Sequence, residues 1–368
     1  DKYEYKEDMT FFNPSFTKKL QQHVPEDKLE IKMERRDIYE HLINHALNCG
    51  VKIEYECEVK SPIILGSRVV GIQTEKGDVY GDLIIDACGM NSPLRKNLPD
   101  SFSIEKDVAR NEKITIYRAF YNVASEEEVE AKFKVMLFKG GELGINWVAS
   151  EENHTDVLIG RFEDFDIEKV ESFTEYLRQD NPRLGREKLR GGQFVEIPVR
   201  QQLAVMVADG YAAIGDSAFM TVPLIGSGIA NSLKAAAMLA QTVIKDKDCA
   251  FTAETLWKYQ VEYYKQLGAG LAPLACAKLL LLSLTPQEVD FVIDSGIINQ
   301  DDVTMDADFT SLGSSMKIDP KDLVNKAKGV CRDPELLKKI VACGVKMGKV
   351  SAACAMMPKK WKSSKKAT

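Results

Sequence analysis

Histidine is scarce in this sequence of 368 residues, and its four copies, His23, His41, His45 and His154, are dispersed. His41 and His45 stand four apart, but the His-Glu-x-x-His order of a zinc protease is absent, so a solvated helix face accounts for the pair. The eight cysteines (Cys49, Cys57, Cys88, Cys249, Cys276, Cys331, Cys343 and Cys354) include no Cys-x-x-Cys. Neither a metal site nor a disulfide framework is expected, and a reducing, cytoplasmic setting follows. An excess of positive charge is missing too. With 49 Lys and Arg against 55 Asp and Glu, the net charge is -6, and a nucleic-acid partner, which calls for a basic face, is excluded. Long apolar runs are also lacking. The most apolar stretch, residues 271–284, is broken by Pro273 and Lys278 and falls short of the ~20 residues of a spanning helix, so it reads as a buried or surface-lying helix. There are no internal repeats and no signal peptide, while a first residue of Asp1 rather than Met leaves a processed or partial chain open.

What is present is 45% hydrophobic residues, enough for two domains with their own cores, or two and an extension. The most informative stretch is 211–239, YAAIGDSAFMTVPLIGSGIANSLKAAAML. A short apolar run reads as a buried strand. It leads through Gly215-Asp216 and a loop with Pro223 to Gly226-Ser227-Gly228, and then to an Ala-rich helix ending near Lys245. Strand, glycine turn and helix together make an anion site, because glycines admit close approach and a helix start offers unpaired N–H groups at the positive end of its dipole. As a dinucleotide fingerprint the glycines fit poorly, since a loop of ten residues separates them from the strand.

Gly215-Asp216 followed by Pro223-Leu-Ile-Gly226-Ser227-Gly228-Ile229 resembles the second flavin-binding motif of flavoproteins with the para-hydroxybenzoate hydroxylase fold, and within that group the geranylgeranyl reductase family. The resemblance implies an FAD cofactor. Asp216 would accept a hydrogen bond from a ribityl hydroxyl, and the loop 223–229 would lie along the flavin ring, its helix start stabilising charge near N1 and the C2 carbonyl. A second motif of the family is similar to Asp86-Ala-Cys88-Gly89-Met-Asn-Ser92-Pro-Leu-Arg95, with Cys88 at the usual acidic or serine position. Cys88 is either a redox residue or, the preferred reading, a small packing residue at a buried strand end, and Asp86 is placed to cap the following turn. Arg35, just ahead of a helical pattern over 37–49 that stops at Gly50, aligns with a family arginine pointing towards FAD; a solvent-facing arginine is the alternative. Trp147, in a partial match to the family's substrate signature, faces either a lipid chain or the core.

The fold class implied is α/β in the mixed α+β sense: a Rossmann-like FAD-binding domain with an inserted antiparallel-sheet substrate domain and a C-terminal helical region. The boundaries are 1–100 for the first part of the FAD-binding domain, 101–199 for the substrate sheet, 200–246 for the second part and 247–368 for the helices. Nothing before Asp37 has the Gly-x-Gly-x-x-Gly pattern that holds the ADP half of FAD in this family, so the first βαβ unit is expected to be missing. Strands are expected over 29–33, 51–59, 68–75, 78–85, 194–199 and 203–208. Further strands over 114–121, 133–138, 143–148 and 156–162 precede a helix capped at Asp166. Short helices in series start at Thr285-Pro286, Asp319-Pro320 and Asp333-Pro334.

The expected function is that of an FAD-dependent oxidoreductase reducing C=C bonds of a hydrophobic, isoprenoid-type substrate with hydride from reduced flavin. The alternatives are a flavin-dependent monooxygenase of an aromatic compound, or a truncated, non-catalytic module binding a lipid or a partner. No residue is marked as the proton donor, and without a second Gly-x-Gly-x-x-Gly the electron donor stays open. The tail, with Lys359-Lys360-Trp361-Lys362 and Lys365-Lys366, suits either peripheral contact with an anionic membrane or a solvated terminus.

Overall fold

The computed structural model describes residues 3–5, 8–22, 31–303 and 318–361. His23 and the lysines at 362, 365 and 366 lie outside them. Two sheets organise the chain. In the smaller one, Ile84–Asp86 runs parallel to Tyr211–Ala213, with Ile84 opposite Tyr211 and Asp86 opposite Ala213, and Val207–Ala208 pairs antiparallel on the far side. Two segments far apart in sequence thus share one sheet, and everything between them is an insertion. That arrangement brings the second motif, after Asp86, beside the first, after Ala213.

The insertion supplies five strands of a seven-stranded sheet, and the start of the chain supplies the last two, in the spatial order Leu184–Pro198, Lys113–Val123, Thr155–Arg161, Gly144–Ser150, Phe133–Leu137, Met9–Phe12, Lys19–Gln21. All pairings are antiparallel except Phe133–Leu137 with Met9–Phe12. Strand alternation splits its apolar residues between two faces. Tyr117, Ala119, Met136, Val148, Val157 and Ile159 pack under the helix Ile167–Asp180, which Asp166 caps through the Lys169 amide. Ile114, Ile116 and Leu158, with Ile145, Trp147, Phe162 and Ile197, occupy the other face. A Cβ added at Gly226 would lie 3.4 Å from Ile197 Cγ2, so the second face roofs the glycine loop.

Several expectations need correction. Residues 51–58 form no strand; the strand is Val59–Leu65, because Val51 and Tyr55 alternate with charged residues yet remain half exposed or more, with no strand pairing to them among the described residues. Pro62 is tolerated there since the strand is an edge of the three-stranded meander with Arg68–Thr74 and Gly77–Tyr80. The run 78–85 divides between that meander and the parallel sheet, and of 203–208 only Val207–Ala208 is strand. Met9–Phe12 and Lys19–Gln21, early in the segment assigned to the cofactor domain, pair instead with the seven-stranded sheet.

The helical region begins with one continuous run, Ala253–Leu282, longer than the apolar stretch had suggested. By length and composition alone it is long enough to cross a membrane, but Leu271, Ala272, Leu274 and Cys276 are buried against the rest of the fold. Thr285 forms the expected capping box with Glu288, and Asp319 and Asp333 cap Pro320–Val330 and Pro334–Ala355. Trp257 donates to the Pro358 carbonyl at 2.7 Å and meets Trp361 edge-on, fastening the last described residues to the core.

Candidate functional site

Behind the junction of the two parallel strands lies a buried polar network. Asp86, Ser92, Arg95 and Ser217 are fully inaccessible. Asp86 Oδ2 accepts hydrogen bonds from Ser92 Oγ (2.5 Å) and Tyr211 Oη (2.7 Å), and Oδ1 accepts from Ser217 Oγ (2.9 Å) and the Cys88 amide (3.0 Å). The turn cap expected of Asp86 is therefore present, and it is one of four. A carboxylate with four donors is satisfied without water, which is what its burial demands. Arg95 donates from Nη1 to the Ser217 carbonyl (2.6 Å) and from Nη2 to that of Met90, and its guanidinium stacks 4.4 Å from the centroid of Phe219. Burial pushes the Tyr211 hydroxyl well above the ordinary phenol range, with the Asp86 charge adding to it, so Tyr211 stays a donor. The network ties the Gly89–Arg95 turn to the Gly215–Ala218 turn, and so fixes one motif against the other.

In front of this network the strand Tyr211–Ala213 opens into Gly215, at φ +63°, and the turn Gly215–Ala218. Pro223 is buried, and the loop is closed by the Val222 amide donating to the Ser227 carbonyl (2.8 Å) and the Gly226 amide donating to the Val222 carbonyl (2.8 Å). The helix Ile229–Lys245 follows with Gly228 at its N-cap and no side chain capping it. Its first amides are free for a ligand. At Gly228 a Cβ would sit 2.9 Å from Thr221 Cγ2 and 3.5 Å from Asp216 Oδ1, so the turn is too close for a side chain and lies against the Asp216 carboxylate. That carboxylate has no hydrogen-bond partner among the described residues. Burial raises its pKa, and the Arg35 charge works in the opposite direction.

Gly215, Asp216, Pro223, Gly226, Ser227, Gly228 and Ile229 thus sit together in one turn, loop and helix start, with Pro223 buried beneath it, and the Arg35 charge, on the helix Arg35–Asn48, acts on Asp216. Trp147 sits half-buried in the same apolar cluster as Ile197, with Phe133 edge-on at 5.7 Å and the Arg118 guanidinium at 5.5 Å from its ring. Cys88 is not the buried packing residue expected: it reaches the surface. Desolvation of its thiol, followed by the adjacent Asp86 charge, pushes it up to about 12, leaving almost no thiolate for redox chemistry at neutral pH. The roles of Tyr211 and Ser217 were not legible beforehand, since the Tyr211–Asp86 bond joins residues 125 apart. No group of three or more metal-binding side chains occurs among the described residues.

The surface suits a flavin on its own chemistry. Free amides at a helix start complement the anionic edge of a reduced ring, and an unpartnered carboxylate is an acceptor waiting for a hydroxyl.

No protein-family model matches the chain. By sequence it is similar to the digeranylgeranylglycerophospholipid reductase of Sulfolobus acidocaldarius, 24% identical over 253 residues, which are 67% of this chain and 54% of that protein. The chain spans about half the length of the curated relatives it matches. Among solved structures it is similar to a geranylgeranyl bacteriochlorophyll reductase-like protein from Thermoplasma acidophilum, with a TM-score of 0.70 at 18% identity, covering 92% of this chain and 83% of that one. A myxobacterial FAD-dependent chondrochloren halogenase follows at a TM-score of 0.61 and 12% identity, over 95% of this chain and 82% of the halogenase. The fold is that of the FAD-dependent oxidoreductases, and the resemblance to the geranylgeranyl reductase family read from residues 215–229 is supported by these likenesses.

Proposed function

We propose that this chain, which resembles the geranylgeranyl reductases in sequence and fold, is the flavin-holding and substrate-roofing part of an FAD-dependent oxidoreductase that reduces C=C bonds of a hydrophobic, isoprenoid-type lipid. One observation carries the reading: the unpartnered Asp216 carboxylate, the Gly226–Gly228 turn and the uncapped start of Ile229–Lys245 converge beneath Ile197 of an apolar sheet face. Reduced flavin supplies hydride when bound; the protein supplies position, field and exclusion of water. Asp216 accepts from the ribityl chain. The first amides of Ile229–Lys245 hold the negative edge of the ring, and Ile197, Ile116 and Ile145 keep water from the space above the loop. Arg35 offers a guanidinium to the cofactor's phosphate or ribityl oxygens.

Anaerobic incubation with dithionite-reduced flavin and a prenylated lipid tests the proposal, with mass spectrometry reading two added hydrogens per double bond. Absence of turnover across chain lengths counts against it. The likeness to a halogenase supports a second reading, oxygen chemistry on an aromatic substrate. It predicts oxygen consumption in step with product, whereas an alkene reductase works best without oxygen.

A further inference from the structure

The strand Leu184–Pro198 is the part of the roof that reaches the glycine loop: Ile197 lies against Gly226, and the Pro198 carbonyl accepts the Thr221 hydroxyl. Two residues further on, Arg200 is 8% exposed. Its guanidinium donates to four acceptors. Nε bonds the Gln201 carbonyl (3.0 Å), Nη1 the Glu112 carboxylate (3.0 Å) and the Asp107 carbonyl (3.3 Å), and Nη2 the Glu105 carboxylate (2.7 Å). The same guanidinium lies 4.5 Å from the ring centroid of Phe219.

Phe219 closes the turn that carries Asp216. It is fully buried, sits in the left-handed region at φ +57°, and donates its amide to the Asp216 carbonyl at 3.2 Å. Its ring also holds the Arg95 guanidinium of the buried network, at 4.4 Å. One ring therefore joins the network behind Asp216 to the roof over the loop. Stability alone does not account for a guanidinium there, because desolvating it with its carboxylates offsets most of their attraction, and a well-packed apolar side chain is often as stabilising. What the planar fork supplies is direction. It meets the 105–107 segment, Glu112 at the start of Lys113–Val123, and Phe219 at once, which the single ammonium of a lysine cannot do.

We propose that Arg200 is a positioning residue that sets the gap between the roof and the 215–229 loop, the space in which flavin and substrate meet. It acts through Phe219 and the strand end at Ile197 and Pro198, not on the ligands. That the gap serves hydride transfer rests on the proposed function; the gap itself does not. Transfer between two held reactants tolerates little displacement, since a shift of about 1 Å can cost roughly a hundredfold in rate.

The test is hydrogen-exchange mass spectrometry on the flavin-free protein, wild type beside Arg200→Lys, with FAD affinity and turnover measured on the same samples. Exchange in residues 194–200 and 219–228 should rise about tenfold in the variant, while the helices Ile167–Asp180 and Pro334–Ala355 exchange as in wild type. FAD affinity should stay within about twofold, because the closed loop still predominates and Asp216 is untouched. Turnover of a prenylated lipid with reduced flavin should fall about tenfold at saturation, with KM within about twofold. Two anchors beside Arg200 keep the fold in the variant: the Val199 amide on the Glu112 carbonyl (2.8 Å) and the Tyr264 hydroxyl on the Leu203 carbonyl (2.9 Å). Glu105→Gln, at an exposed residue, removes one arm of the fork and should give the same pattern at smaller size. Exchange that rises equally across the molecule, or in no segment, overturns the proposal. So does a tenfold loss of FAD affinity, which would put Arg200 on the cofactor, or a raised KM at an unchanged maximal rate. Selective exchange in a protein whose wild type turns nothing over leaves the positioning role standing and removes the reductase reading.

Discussion

Two regions flank Asp216 and are held in opposite ways. Behind it, Asp86, Ser92, Arg95 and Ser217 are wholly buried and bonded to one another or to backbone carbonyls. On its other side the helix Arg35–Asn48 has no buried residue, and Leu42 and Leu47 on its apolar stripe are 40% and 48% exposed. The segment ahead of that helix is attached to the sheet by ion pairs: Lys32 with Glu151 at 2.5 Å, and Arg190 with Glu34 through two bonds of 2.8 and 2.6 Å. The glycine loop is therefore fixed by packing and is preorganised before a ligand arrives. The position of Arg35 depends on surface electrostatics, which are worth little individually and weaken with salt.

The sharpest way to break that contrast is Asp86→Ala. It leaves the buried Ser92, Tyr211 and Ser217 hydroxyls and the Cys88 amide without their acceptor and should cost about 3–5 kcal/mol in chemical denaturation. A loss no larger than that of a surface substitution would mean the network does not fix the loop. Next comes Asp216→Asn, expected to leave the melting temperature nearly unchanged because the carboxylate has no hydrogen-bond partner among the described residues, while flavin affinity falls roughly tenfold. The same group sets a pH dependence. Its pKa is raised by burial, so as pH falls it takes up a proton earlier than an ordinary carboxylate, and wild-type flavin binding should weaken as pH falls through that raised value. A flavin titration of Asp216→Asn over the same range should lack this step.

Arg190→Gln should act more weakly. Stability stays within about 1 kcal/mol, flavin affinity falls a few-fold, and the effect fades as salt is added. Exchanging the charges at Glu34 and Arg190 together should recover most of that affinity. The smallest effect belongs to Leu42→Ser on the uncovered helix face, within about 0.5 kcal/mol in a thermal melt. A larger loss there would show that the face is covered in solution and that the contrast between the two regions is wrong.

Local chemistry was readable in advance. The turn at Gly215, the helix after Gly228, and the caps at Asp166, Thr285, Asp319 and Asp333 depend on residues a few positions apart, and all are found. The apolar, glycine-punctuated pattern of residues 211–229 delivered most of the candidate surface. What could not be read was long-range pairing. The bond from Tyr211 to Asp86, the parallel seating of Met9–Phe12 on Phe133–Leu137, and the clasp of Trp257 on Pro358 are decided by the folded neighbourhood. The alternation over 51–59 misled for the same reason, since a strand needs a partner and only its end, at Glu58 and Val59, meets one among the described residues.

The most direct test of the central claim, that the 215–229 surface holds a flavin, is a titration of the protein with FAD followed by flavin fluorescence, in wild type and Asp216→Asn side by side. Saturable quenching in the wild type, weakened roughly tenfold by a substitution that leaves the fold intact, is the result predicted. Identical titrations for the two proteins, or no binding to either, would contradict it.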